Sequence, residues 1–224
     1  MNSSNNSTLF SKRRIAIITG LSIVLMAIAG GYSLGYAFPT LFTSDQVDEL
    51  KNNVLNDLGL YQVMVVGILV TLILDLVVSY GLYAFFVDDN RKLSLATGIL
   101  RLVYTLIFGV ATFYLIQTLI EEEPSDQTVY RNFQLFEVIW FSGLVIFGVH
   151  LIITGVLMNL HRRAPKVLGY LTLVAGVAYI IIHLARLADL NPQYVNVMEK
   201  ILTLPMVLGE LGLAIWLLVK GGKS

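Results

Sequence analysis

The chain has 224 residues, of which 56% are hydrophobic and 13% are charged, whereas a soluble domain carries about 25% charged residues. Its 15 basic residues balance its 15 acidic residues, so no basic surplus favours a nucleic-acid partner. It has no cysteine, which excludes disulfides, thiolate metal ligands and cysteine nucleophiles. The apolar residues stand in long blocks between short polar joints, and this pattern predicts a membrane protein.

Six apolar blocks are long enough to cross about 30 Å of hydrocarbon, which takes roughly 20 helical residues. A segment in lipid must satisfy its own backbone hydrogen bonds, and a helix does so locally. The prediction is an all-α membrane bundle with a single domain at 15–220 and tails at 1–14 and 221–224. Its six transmembrane helices are predicted at about 15–37, 60–86, 93–120, 135–160, 167–188 and 198–219.

The first block has an alternative interpretation as a secretory signal, because it has a basic flank and small residues near Ala37. It is longer than a usual signal core, however. It also carries Gly31 and Gly35 at a spacing that is typical of helix packing in membranes. We therefore predict that this block is retained as a transmembrane helix.

The first long outer loop contains a predicted surface helix. Thr43 and Gln46 are spaced as in a capping box, which marks a helix start. Apolar residues then recur at helical spacing: Val47, Leu50, Val54 and Leu58. This pattern predicts a short amphipathic helix near 44–56, lying on the outer interface. The other long loop, 121–134, begins with an acidic run that we predict to be solvated.

Basic residues in the short connections predict the orientation of the bundle. Ten lie on the side that holds both termini and the joints at 87–92 and 161–166. Three lie on the other side: Lys51, Arg131 and Lys200. Because basic loops stay in the cytoplasm, both termini are predicted to be cytoplasmic.

Ionisable residues inside the predicted helices mark a candidate site, because a charge near a helix centre costs about 2.5 to 3.5 kcal/mol. They are Asp75, Arg101, His150 and Glu210. Counting from the helix ends at about 1.5 Å per residue puts all four at depths of roughly 12–16 Å. They therefore share one layer near the bilayer midplane, and we predict a midplane polar site there.

Smaller polar residues lie one helical turn from the ionisable ones, and such stripes must face the protein interior or a water cavity. These supporting residues are Thr71, Ser79, Tyr83, Thr97, Tyr104, Thr105 and Thr154. Pro205, which removes a helix hydrogen bond, is expected to kink the last helix near Glu210.

Asp75 and Arg101 are predicted to pair directly, because they lie on consecutive helices at depths within about 5 Å. One hypothesis is that this pair has a structural role alone and fixes the helix register. The alternatives are a small pocket for a proton, an ion or an anionic group, and no convergence at all. Glu210 is left without a dedicated cation, and His150 is the other proton acceptor in the layer. We predict that these two share a site, joined directly or through one water.

The sequence predicts no cofactor. His150 and His183 could be haem ligands, but their counted depths differ by about 9 Å, so we reject that pairing. His183 and Arg186 are instead predicted at the outer interface near Asp189. Only one histidine lies in the layer and Arg101 would repel a bound cation, so no metal is predicted.

Several stretches of this sequence resemble a prokaryotic integral membrane family known as domain of unknown function 4386. They are 75–86, 98–104, 147–151, 165–169 and 209–216. The resemblance implies a multi-pass protein of the cell membrane in a bacterium or archaeon. It implies no activity, because the family has none assigned.

Three functions remain open at this point. The first is binding or carrying a small polar solute or protons at the midplane site. The second is a structural or regulatory membrane subunit that acts through helix contacts of small residues: Gly31, Gly35, Gly143, Gly148 and Gly155. The third is an intramembrane enzyme acting on a lipid. The expected partners are the lipid bilayer and, for so small a bundle, a second copy or another membrane protein.

Overall fold

The computed structural model describes residues 4–42, 47–121 and 124–223. Its elements are α1 (Ser4–Tyr32), a π-helix (Ser33–Ala37), α2 (Phe38–Leu41), α3 (Val47–Asn56), α4 (Leu58–Phe86), α5 (Arg91–Ile120), α6 (Asp126–Leu160), α7 (Lys166–Leu187) and α8 (Pro192–Val219). Within those residues, six segments are long and apolar enough to cross a membrane: Lys12–Leu41, Leu58–Phe86, Arg91–Ile120, Asp126–Leu160, Lys166–Leu187 and Pro192–Val219. The chain is therefore an all-helical membrane bundle, as predicted.

Most of the helices extend beyond the predicted spans. Helix α1 begins at Ser4, so most of the predicted N-terminal tail is helical. Helix α6 begins at Asp126, where Ser125 accepts a hydrogen bond from the Thr128 backbone N–H. Asn90 caps α5 in the same way. Hydropathy locates the part of a helix that lies in lipid, whereas capping side chains set where the helix begins.

The six long helices form a closed ring in chain order, in which each packs against its neighbours and α8 returns to α1. The start of α1, the end of α8 and the connections at 87–90 and 161–165 gather at one end of the ring, called here the basic end. Arg13 donates there to the carbonyl oxygens of Leu217 at 3.0 Å and Gly221 at 2.8 Å. These bonds serve carbonyls at the end of α8 that have no partner within the helix.

Helices α6 and α7 approach each other through glycines. A Cβ on Gly148 would lie 2.7 Å from the carbonyl oxygen of Gly176, and one on Gly155 would lie 2.8 Å from that of Gly169. Only glycine allows this approach. By contrast, a Cβ on Gly31 or Gly35 would meet nothing within 4 Å. The predicted packing role of that pair is therefore wrong within the chain.

Helix α3 confirms the predicted surface helix over residues 47–56, while the proposed cap at Thr43 and Gln46 lies outside the described residues. Leu50 and Val54 are buried, and α3 packs against α6. Lys51 pairs with Asp126 at the start of α6, 3.3 Å away. The helix thus covers the bundle end opposite the basic end, and these two apolar residues contact protein rather than lipid.

An apolar cluster fills the interior of the ring between the midplane and the basic end. We call this cluster the basic-end plug; its main members are Val78, Leu82, Phe85, Phe86, Leu157, Met158, Leu213, Trp216 and Leu217. All of them are buried. The plug leaves the interior of the ring closed on this side.

Candidate functional site

Asp75 of α4 and Arg101 of α5 form the predicted ion pair. Arg101 Nε donates to Asp75 Oδ1 over 2.8 Å, and Nη2 lies 2.6 Å from the same oxygen. Both residues are buried, and the Arg101 guanidinium lies over the Phe147 ring, 5.2 Å from its centroid. The prediction of a direct pair is confirmed. Both donors reach one oxygen, so Asp75 Oδ2 is buried with no hydrogen-bond partner.

His150 of α6 lies behind Arg101. Arg101 Nη1 is 3.2 Å from His150 Nε2, and an arginine N–H can only donate, so Nε2 is the acceptor. The ring proton is then on Nδ1, which donates to the Thr97 carbonyl oxygen over 2.8 Å. The Thr97 hydroxyl lies 2.7 Å from that of Thr154, which donates to the His150 carbonyl oxygen. This network holds His150 as a neutral acceptor that positions Arg101.

Glu210 of α8 has a different partner. Tyr179 Oη of α7 donates to Glu210 Oε1 over 2.8 Å. No hydrogen bond joins Glu210 and His150 among the described residues, so the direct contact that we predicted is not found. The ring order explains this result, because α7 stands between α6 and α8. That Glu210 and His150 serve one function stays a prediction.

A cavity of about 460 Å³ lies beside Asp75, Arg101 and Glu210, and all six long helices contribute to its wall. We call it the midplane cavity. Its polar wall residues are Thr71, Asp75, Arg101, Tyr104, Tyr179, His183, Glu199, Thr203 and Glu210. Its volume falls within the range of about 300–1,000 Å³ that is usual for small-molecule sites. His150 is fully buried and lies outside this wall.

The midplane cavity opens between α1 and α8, in the half of the ring away from the basic end. Its exposed wall residues belong to these two helices: Ala27, Gly31, Thr203 and Val207. Near the basic end, the same helices close together, with Gly20 against the Ala214 carbonyl oxygen. The cavity therefore has its mouth between α1 and α8 at these exposed residues and is closed toward the basic end.

The other predicted site residues divide into three groups. Thr71 and Tyr104 lie on the cavity wall. Ser79 donates to the Gly98 carbonyl oxygen over 2.7 Å, and Ser94 to that of Tyr83, so Ser79 and Tyr83 belong to the α4–α5 interface.

Two of the three predicted threonines off the wall, Thr97 and Thr154, support His150. The third, Thr105, donates to the carbonyl oxygen of Arg101, four residues earlier in its own helix. All three threonines therefore lie behind the cavity wall and do not reach the cavity.

His183 lies four residues before the end of α7 and is buried within the bundle, while its depth at the outer interface stays a prediction. Its Nδ1 bonds the Tyr179 carbonyl oxygen over 2.7 Å, and its ring stacks on the Tyr179 ring, with centroids 5.7 Å apart. Arg186 pairs with Glu199 of α8 and not with Asp189. The start of α8 packs against the end of α7 through Ile182, Ala185 and Val195.

Sequence reasoning missed the aromatic wall and the residues at the mouth. The aromatic residues are Trp140, Phe147 and Tyr179. At helical spacing, such residues are indistinguishable from core. A usable signal did exist on α8, where Glu199, Thr203 and Glu210 stand four and seven residues apart, on one helical face.

Comparison with known proteins identifies the family of the chain. The model of the family described as domain of unknown function (DUF4386) matches residues 18–221. The chain belongs to the DUF4386 family. A relative is an uncharacterised protein of Archaeoglobus fulgidus, 28% identical over 159 residues, which cover 71% of this chain and 84% of that protein. No solved structure matches the chain significantly. The matched residues of this DUF4386 chain include the whole midplane cavity.

Proposed function

We propose that this protein binds a small polar solute in the midplane cavity, as the binding step of a carrier in the cell membrane. One observation carries the proposal: Asp75, Arg101 and Glu210 lie on the wall of a cavity that opens between α1 and α8 and is closed toward the basic end. Charged residues in a membrane interior mark solute or ion paths. Because the basic end is predicted to be cytoplasmic, the open side faces outward.

The unmet hydrogen-bonding capacity of Asp75 favours a binding site over a purely structural ion pair. A pair that serves only to fix helix register is most stable when all its polar atoms are satisfied. Asp75 Oδ2 instead has no partner, and it belongs to a residue on the cavity wall. Leaving such an acceptor unmet in a buried place costs about 1–3 kcal/mol. A bound solute with a hydrogen-bond donor would remove that cost.

The position of His150 disfavours an intramembrane enzyme. That hypothesis needs His150 as an acid or base beside a substrate. The imidazole has hydrogen-bonding neighbours at both ring nitrogens, Arg101 at Nε2 and Thr97 at Nδ1, and it lies off the cavity wall. The proposed binding site also needs no second copy of the chain, because one chain completes the ring around the cavity.

A thermal-stability screen of the purified full-length protein tests the proposed function. The probes are acids, alcohols and amines with about 5 to 15 non-hydrogen atoms, added singly. We expect at least one to raise the Tm of the protein and to lose that effect in Asp75→Asn or Glu210→Gln. The control is Asp88→Asn, which removes a carboxylate at the basic end. If no probe acts, or if both cavity variants respond like the parent protein, the proposal is wrong.

A further inference from the structure

We propose that the solute is an organic cation, a protonated amine with an apolar body. This inference rests on the proposed function and names the chemical class of its ligand. The ammonium group would lie between Asp75 Oδ2 and Glu210, and the apolar body would lie among the aromatic residues of the same wall. Charge balance, unmet acceptors and wall composition support it independently.

Acidic residues outnumber basic residues on the described cavity wall. Its acidic residues are Asp75, Glu199 and Glu210, against the single cation Arg101. Arg101 is bonded to Asp75, and Glu199 is paired with Arg186 behind the wall. Glu210 therefore faces the cavity without a basic partner among the described residues. A cationic ligand would stabilise Glu210 as a carboxylate and pair with it, whereas an anionic ligand would find no free cation there.

Two carboxylate oxygens on the wall are free acceptors, beside one buried donor without a partner among the described residues, Trp140 Nε1. Asp75 Oδ2 has no donor, and Tyr179 donates only to Oε1 of Glu210, which leaves Oε2 without a donor among the described residues. A primary ammonium carries three N–H donors and no acceptor, so it matches these two oxygens. The donors of Arg101 are already directed at Asp75, His150 and Met26. They offer an anionic ligand little that is free.

Aromatic rings form much of the wall beside these acceptors. They are Tyr104, Trp140, Phe147 and Tyr179. The faces of aromatic rings attract cations within about 6 Å by about 0.5–2 kcal/mol, and they also pack against an apolar ligand body. Arg101 shows this contact within the protein, because its guanidinium lies over Phe147. Tyr104, Trp140 and Tyr179 line the same cavity, and aromatic rings are a usual surrounding for organic ammonium groups.

Three probes of similar size and different charge test the inference. They are 2-phenylethylammonium, 2-phenylethanol and phenylacetate, titrated into the full-length protein in phosphatidylglycerol nanodiscs. The protein has two tryptophans, and Trp140 lies on the cavity wall while Trp216 lies in the basic-end plug. Intrinsic fluorescence therefore reports cavity binding, and Trp140→Phe identifies the signal that arises there.

We expect the cation to bind about tenfold or more tightly than the alcohol, and phenylacetate to bind less tightly than either. Glu210→Gln should remove this preference by weakening binding of the cation about tenfold, with little effect on the alcohol. Asp88→Asn is the control for a lost negative charge outside the cavity. Its affinities should equal those of the parent protein.

Failure of the inference is distinguishable from failure of the proposed function. If 2-phenylethanol or phenylacetate binds as tightly as the cation, with a signal that Trp140→Phe abolishes, the cavity binds solutes but is not selective for cations. That result overturns the inference alone. If none of the probes binds, and the wider solute screen also finds no ligand, both the inference and the proposed function are overturned.

The cation could be a free amine or the amine of a lipid headgroup, because the cavity mouth lies between α1 and α8 and is bordered by exposed residues of both. Repeating the titration with half of the phosphatidylglycerol replaced by phosphatidylethanolamine distinguishes these sources. Unchanged affinity for 2-phenylethylammonium supports a free amine as ligand. Affinity that falls about threefold or more supports competition by the headgroup amine. If 2-phenylethylammonium has no Glu210-dependent affinity in either membrane, the inference is wrong.

Discussion

Neutralising one member of the Asp75–Arg101 pair should destabilise the bundle strongly. Removing one partner of a buried pair typically costs about 3–5 kcal/mol, because the other charge is left uncompensated. Arg101 is only 3% exposed and Asp75 is fully buried, so screening by solvent offers little relief. In Asp75→Asn, Arg101 keeps its contacts with His150 and the Phe147 ring, which places the loss near 3 kcal/mol.

Arg101→Gln should cost more, near 5 kcal/mol, because Asp75 Oδ2 already has no partner and Oδ1 loses both of its donors. Independent effects would sum to about 8 kcal/mol. An Asn–Gln pair contains no charge and can form a hydrogen bond, so we expect a coupling of about 2–3 kcal/mol. The double variant should therefore lose about 5–6 kcal/mol.

Unfolding in mixed micelles of increasing dodecyl sulfate content, followed by tryptophan fluorescence, measures these differences in the free energy of unfolding. Ser79→Ala is a control at the same helix interface, where the loss of the bond to Gly98 should cost about 1 kcal/mol. Arg101→Lys is a milder variant that keeps the charge without the guanidinium fork. Additive losses in the double variant would refute the argument that the two charges compensate each other.

Three further predictions follow from the fold. Gly148→Ala should destabilise the bundle by about 1–3 kcal/mol in the same assay, because its Cβ would lie 2.7 Å from the Gly176 carbonyl oxygen. Gly109→Ala is the control, because its Cβ would meet nothing within 4 Å, and it should be neutral or stabilise by up to about 1 kcal/mol. Equal changes in the free energy of unfolding for the two variants would contradict the packing argument. Arg13→Gln should cost about 1 kcal/mol, because carbonyl oxygens at the end of α8 lose their donor. It should also speed proteolysis after residue 217, and an unchanged rate of cleavage would argue against that role of Arg13. A reporter fused to the C-terminus should be active only in the cytoplasm, and activity outside the cell would overturn the predicted orientation.

The positions of the helices and the central ion pair could be predicted from the sequence because each depends on one-dimensional information. Hydropathy locates a segment in lipid, and counting along the helix gives the depth of a residue. Asp75 and Arg101 lie on consecutive antiparallel helices, so equal depth sufficed to predict their contact.

Depth alone could not predict lateral neighbours, because the order of helices around the ring and the rotation of each helix depend on packing. Glu210 and His150 were matched by depth, yet α7 stands between their helices, and Tyr179 takes the place that was assigned to His150. The glycines illustrate the same limit. Gly148 lies at a helix contact and Gly31 on the cavity wall, although both are small residues in apolar helices.

A solute-accessible cavity should reach the charged layer through the mouth between α1 and α8, in the half of the bundle away from the basic end. Because the natural chain has no cysteine, single substitutions can be labelled without background. Gly31→Cys and Thr203→Cys place a thiol on the cavity wall, and Ala214→Cys places one in the buried core near the basic end. Gln193→Cys, at an exposed position near the start of α8, is the positive control.

The measurement is the rate of labelling in intact cells by a membrane-impermeant, positively charged methanethiosulfonate. We expect the thiols at Gly31 and Thr203 to react at rates close to that at Gln193, and the thiol at Ala214 not to react. We also expect 2-phenylethylammonium to slow labelling at Gly31 and Thr203 without affecting Gln193. If the thiols at both wall positions are unreactive while the thiol at Gln193 reacts, the midplane cavity is not accessible to solute and the proposed function is contradicted.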